Sequence, residues 1–144
     1  LNKKLPKYIF TFPIDKVEIT NAILSNKKNL KTIINIVHKE VRKKLNIFLK
    51  KNQNAKIVIL DIPLLIENKI YKKKDILVFI DSRKKDINKK IKKRPNYNIK
   101  LINIFRKIQF NLNYKKKKSH FIIKNTFTKT PVKKAIKKIL NQIL

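Results

Sequence analysis

The 144 residues predict an α/β fold with a mainly parallel sheet flanked by helices. Two apolar runs, Ile57-Val58-Ile59-Leu60 and Ile76-Leu77-Val78-Phe79-Ile80, lack the polar alternation of a half-exposed strand. They suit strands covered on both faces, as in parallel sheets. A third short run, Phe121-Ile122-Ile123, follows later. Apolar residues at helical spacing fill the intervals, so strands and helices alternate.

Residues 1–20 show little periodicity, and Pro6 and Pro13 interrupt them. From Leu30, the residues Ile33, Ile34, Val37, Val41, Leu45, Phe48 and Leu49 form one helical stripe. Polar Lys51–Asn54 ends it before the 57–60 run, which leads into Asp61. After Pro63–Glu67 and a polar stretch comes the 76–80 strand. Residues 84–93 are Lys-rich, with only Ile87 and Ile91 apolar, the pattern of a thin solvated helix closed by Pro95. Leu101, Ile104, Phe105, Ile108 and Leu112 form the next helical face. A charge run, Lys115–Lys118, reads as solvated surface together with His120. Thr130 as N-cap and Pro131 at the first helical position open a final helix bearing Val132, Ala135, Ile136, Ile139, Leu140, Ile143 and Leu144. No repeat or low-complexity linker divides the chain, so residues 1–144 read as one domain, with 84–114 as a candidate mobile lid.

Composition removes whole classes of function. With no Cys there is no disulfide framework, thiol nucleophile or Cys-ligated metal. With no Gly there is no G-x-x-x-x-G-K-[ST] or G-x-G-x-x-G phosphate loop. The absence of Met, including at residue 1, implies that the chain begins inside a longer parent. The longest apolar runs fall far short of the roughly 20 residues of a spanning helix, and no signal-peptide core is present, so a cytoplasmic protein is expected. Thirty-nine Lys+Arg against eight Asp+Glu give a net charge of +31. Such a charge attracts nucleic acid. Only Arg42, Arg83, Arg94 and Arg106 are arginines, however, and Lys, Asn and Ile, all with A/T-rich codons, dominate. Base bias therefore accounts for most of the charge. A small basic RNA-binding or ribosome-associated protein is the alternative reading, and nucleic acid is a partner only under it.

In open parallel sheets, ligands bind beyond the carboxyl ends of strands. The segment leaving the 57–60 run, Ile-Val-Ile-Leu-Asp-Ile-Pro-Leu-Leu-Ile-Glu (57–67), is followed by an apolar strand preceded by Asp75. This element resembles the signature of the dephospho-CoA kinases, P-loop kinases of the nucleoside-monophosphate-kinase type. Further resemblances occur in the family's order. Ile14-Asp15-Lys16 is similar to I-D-R. The helix with Ile33, Ile36, His38 and Val41 resembles L-x-x-I-x-H-P-x-[IV], with Lys39 replacing Pro. Lys90 and Arg94 resemble a paired R-x-x-x-R of the lid, with Lys replacing the first Arg. Gln109 matches a helix glutamine after the lid. Ser119–Asn125 resembles A-D-x-x-I-x-N, with Ser119 and His120 replacing Ala and Asp.

The resemblance implies a P-loop NTPase kinase-like fold whose phosphate-loop strand and helix would precede residue 1. It implies transfer of the ATP γ-phosphoryl group to the ribose 3′-hydroxyl of dephospho-CoA, with ATP and Mg²⁺ as cofactors and little activity in these residues alone. By the same resemblance Arg94 is the catalytic lid cation and Lys90 a weaker partner. His38, Arg42, Pro63, Leu64, Leu65 and Glu67 line the acceptor side, and Asn125 lies near the adenine. From the residues alone, His38 reads as a part-buried structural histidine, Arg42 as a solvated helix residue and Arg94 as an exposed basic one. Glu67 either accepts backbone N–H bonds or faces substrate. Asp61 reads as a turn or cap residue, and no metal site is expected.

Overall fold

A computed structural model describes all residues, 1–144. Helices α1 (Lys16–Ser25) and α2 (Lys27–Lys51) precede strand β1 (Val78–Asp81). Helices α3 (Lys84–Lys92), α4 (Ile99–Ile108) and α5 (Leu112–Lys118) then lead to strand β2 (Phe121–Lys124) and helix α6 (Lys129–Ile143). The residues gather into two compact units, 1–63 with 100–104, and 64–99 with 105–144.

In the first unit the core is Leu5, Ile9, Ala22, Ile23 and Ile33, with Ile9 fully buried and Leu30, Leu101 and Ile104 packed around them. Helix α1 was not legible in the sequence. Its start is written in Asp15, the N-cap, whose carboxylate accepts from the Val17 N–H. Asn26 then ends α1 and caps α2 by accepting from the Lys28 N–H at 2.8 Å. The buried Glu18 carboxylate accepts from the Phe10 N–H at 3.3 Å and the Thr11 N–H at 3.2 Å, so it satisfies backbone donors of the irregular N-terminal segment. Helix α2 forms as the apolar stripe predicts, although only Ile33 on it is buried.

The strand expected at 57–60 does not form. These residues are unpaired irregular chain, and Ile59 is 83% exposed. A strand exists only where a neighbour completes its ladder, and the one sheet has two strands, β1 and β2.

In the second unit these two strands pair in parallel, Val78 with Phe121 through Asp81 with Lys124. The connection between them carries three helices, so the unit keeps the predicted α/β character with a parallel sheet. Burial differs from expectation: Val78, Ile80 and Ile122 are exposed, while Leu77 and Ile123 are buried. By the register Val78 and Ile80 share a face with the buried Ile123, while Ile122 lies on the opposite face with Phe79, so neither face is covered along its whole length. Helix α4 stops at Ile108 rather than running through Leu112, because Asn111 caps α5 by accepting from the Asn113 N–H at 2.8 Å. Helix α6 begins at Lys129 with Thr128 as N-cap, which puts Pro131 third in the helix, where its missing N–H still costs nothing.

Four residues have left-handed backbone, Leu64, Lys69, Asn96 and Phe127, and none is Gly. At Lys69 (φ 50°) the cause is clear. The Ile70 N–H donates to the Leu65 carbonyl at 3.1 Å and the Lys69 N–H to the Ile66 carbonyl at 3.2 Å, the paired closure that ends a helical turn. Glycine normally takes that position. Lys69→Gly is expected to stabilise the protein by about 1 kcal/mol, raising Tm by about 2–4 °C in a thermal melt.

Candidate functional site

The parallel pair is pinned at both ends by groups outside the regular ladder. At its start the His120 N–H donates to the Leu77 carbonyl at 2.8 Å, and the Leu77 N–H donates to His120 Nδ1 at 2.9 Å. His120 is therefore not idle solvated surface: its imidazole accepts the next N–H of β1 and so lengthens the sheet by a side chain. At the carboxyl end the Asn125 N–H donates to the Asp81 carbonyl at 2.7 Å. The Asp81 carboxylate accepts from Lys116 Nζ at 2.8 Å, and Lys116 also lies 5.7 Å from the Phe79 ring centroid. Three of the four lysines of the Lys115–Lys118 run are thus engaged, Lys115 and Lys116 in ion pairs and Lys118 over the Tyr114 ring at 5.9 Å. Spacing alone could not show the ion pairs, because their partners lie 35 and 48 residues away.

The other lysine of the run in an ion pair, Lys115, pairs with Glu67 of the Pro-Leu-Leu-Ile-Glu turn, whose side chain is only 6% exposed. Glu67 Oε1 also accepts from the Phe110 N–H at 2.9 Å. Burial pushes the Glu67 pKa up. The hydrogen bond from Lys115, those from the backbone N–H groups of Glu67 and Phe110, and the Lys115 charge together outweigh it and hold the group below its ordinary value. The carboxylate is an ionised anchor joining the turn to the junction between α4 and α5. Leu64 enters the same turn with φ 56°, a strained state for a branched side chain.

Beyond the carboxyl end of β2, Asn125 folds the chain back on itself. Its Oδ1 accepts from the Phe127 N–H at 2.9 Å, and the Thr126 and Thr128 hydroxyls share a hydrogen bond of 2.8 Å. This turn opens a hollow of about 310 Å³ lined by Asn125, Phe127, Thr128, Lys129, Val132 and Lys133. Lys90 Nζ lies 4.7 Å from the centroid of the Phe127 ring. Phe127 was missed in the sequence; the signal for it was the Asn two residues before it, poised to form such a turn.

Among the residues expected at the site, the second unit thus holds Leu64, Leu65 and Glu67 in one turn and brings Lys90 to the turn that follows Asn125. Arg94 lies exposed just past the C-cap of α3, so the four-residue spacing from Lys90 crosses the end of the helix. In the first unit His38 is half-buried and Arg42 exposed, one turn apart on α2, and Pro63 is exposed at the end of the irregular 57–63 segment.

A parallel strand pair with a helical connection, and a hollow at the carboxyl end of β2 flanked by lysines, is the arrangement of an α/β protein with a candidate ligand site beyond a strand end. The family model described as dephospho-CoA kinase matches residues 13–130. The chain belongs to the dephospho-CoA kinase family, a family of ATP-dependent kinases. A dephospho-CoA kinase of Wolbachia pipientis wMel is 27% identical over 143 residues, covering 98% of this chain and 73% of the relative. The dephospho-CoA kinase of Wolbachia sp. subsp. Brugia malayi (strain TRS) shows the same identity and coverage. That of Bartonella quintana (strain Toulouse) is 27% identical over 112 residues, 76% of this chain and 57% of the relative.

The Glu67 anchor has a measurable pH signature. A carboxylate with a lowered folded-state pKa adds stability above its ordinary value of 4.5, and that stability is lost as pH falls through the lowered value. Glu67→Ala is expected to cost about 1–3 kcal/mol at pH 7 in urea unfolding, and the gap from the parent chain should narrow as pH falls below 4.5.

Proposed function

We propose that this chain carries the acceptor wall, the lid and the base-binding turn of an enzyme that phosphorylates dephospho-CoA. In that reaction the ribose 3′-oxygen forms a bond to the γ-phosphorus of ATP as the bond to the β–γ bridging oxygen breaks. The hydroxyl proton is released and ADP departs. Catalysis of such a transfer is mostly positioning and charge stabilisation. The observation that carries this reading is the family match over residues 13–130, which spans the Pro63–Glu67 turn and Asn125.

Residue roles follow the family pattern. Segment 84–114 acts as a lid. Arg94 presents its planar fork to the ATP phosphates, and Lys90 adds a point charge without that fork. Asn125 meets the adenine in the hollow beside it, where its Oδ1 is already engaged with the Phe127 N–H and its amide group is left to bond a ring nitrogen. By that pattern His38, Arg42 and Pro63 of the first unit are dephospho-CoA contacts, as are Leu64 and Leu65 of the second, whose turn Glu67 anchors.

Two parts of the chemistry have no donors among these residues. These residues contain no Gly and so no G-x-x-x-x-G-K-[ST] segment of the kind that wraps the ATP β-phosphate. No three His, Asp or Glu side chains gather to hold Mg²⁺, so no step is assigned to that ion. The 144 residues are therefore expected to bind ligands without turning them over.

Dephospho-CoA and ATP should each raise the melting temperature of the chain, and Arg94→Ala should weaken ATP binding by about tenfold in calorimetric titration. A flat thermal shift with both ligands, alongside RNA retention at moderate salt with a steep salt slope, would instead support a basic RNA-binding protein.

A further inference from the structure

We propose that Phe127 is a positioning residue that holds Lys90 ordered at the hollow beside Asn125, ready for the phosphates of a nucleotide. The proposal rests on the kinase reading for the identity of the ligand and on the geometry of the second unit for everything else.

Lys90 is a long, flexible side chain on an exposed part of α3, in a chain with 39 cationic residues and only eight carboxylates. None of the three ion pairs includes it. What it meets is the Phe127 ring, with Nζ 4.7 Å from the centroid, inside the range in which an aromatic face attracts an ammonium. The ring is placed there by a built turn. Phe127 has φ 62°, a conformation that bulky residues hold only when their surroundings impose it. Asn125 Oδ1 fixes the Phe127 N–H, and the Thr126–Thr128 hydroxyl pair closes the same turn. The residue that would read the base thus also sets the ring that holds the cation.

The strength of the contact suits this task. An ammonium over an exposed ring is favoured only about two- to fivefold over solvent. A phosphate oxygen is a stronger, charge-assisted partner, so a nucleotide can take the ammonium from the ring. The benefit of the ring is that Lys90 starts from a restricted ensemble near the ligand, which reduces the ordering that binding requires.

The test compares ATP with adenosine, which has the base but no phosphates. NMR titration of the chain and its variants gives the ratio of the two affinities, and proton shifts of the Lys90 ε-methylene are recorded without ligand. In the parent chain those protons should be shifted upfield by the ring. Phe127→Leu should remove the shift and lower the preference for ATP over adenosine about two- to fivefold, and Phe127→Tyr should restore both. With Lys90→Gln already present, Phe127→Leu should leave the preference unchanged. A missing ring shift in a parent chain that binds ATP overturns this proposal alone, as does a Phe127→Leu effect that persists with Lys90→Gln. Failure of the parent chain to bind ATP, with the ring shift intact, overturns the kinase reading and the positioning role together.

Discussion

The parallel pairing of β1 with β2 is the constraint from which the second unit is built. A two-stranded parallel ladder is weak by itself, since its slanted bonds give slightly less per residue than antiparallel ones and a two-stranded sheet has no interior strand. This one is reinforced where it would fray. His120 uses both its N–H and its imidazole against Leu77, and Asn125 donates to Asp81 at the other end. Because Asn125 is fixed by its backbone to the last residue of β1, its side chain is free to shape the turn that presents Phe127. The hollow is thus a consequence of where the ladder stops.

A second theme is the scarcity of negative charge. Six of the eight carboxylates have definite structural partners. Asp15 caps α1, and Glu18 satisfies Phe10 and Thr11. Glu67 holds Phe110 and Lys115, and Asp75 accepts from the Lys72 N–H at 2.7 Å. Asp81 pairs with Lys116 and Asp86 with Arg83. Only Glu40 and Asp61 stand outside this set. Acids that shape the fold leave little negative charge for chemistry.

The long amphipathic stripe of α2, the short solvated α3, the 76–80 and 121–123 strands and the C-terminal helix were legible because each is a local pattern. What failed was information carried by partners. The 57–60 run has the composition of a strand but no neighbour, and composition cannot supply one. The Leu101–Leu112 face looked continuous because its apolar spacing is continuous; the break is set by a single Asn111 hydrogen bond. At the candidate site, the Pro63–Glu67 turn and Asn125 stood out as motif residues. The Lys115 and Lys116 ion pairs and the Lys90–Phe127 contact join residues 35 or more positions apart, beyond the reach of any local pattern. His120 was misjudged because a lone polar residue before a strand resembles surface until its ring is seen accepting a backbone hydrogen.

The exposed Val78 and Ile80 on one face and Ile122 on the other, beside two unpaired strand edges, would ordinarily invite copies of the molecule to stack edge to edge. Here mutual repulsion at +31 works against such contact. That protection is colloidal rather than structural, and its range shrinks to about 8 Å at physiological ionic strength. Added electrolyte therefore moves the molecule from well-dispersed toward self-adhesive behaviour without altering a single internal bond.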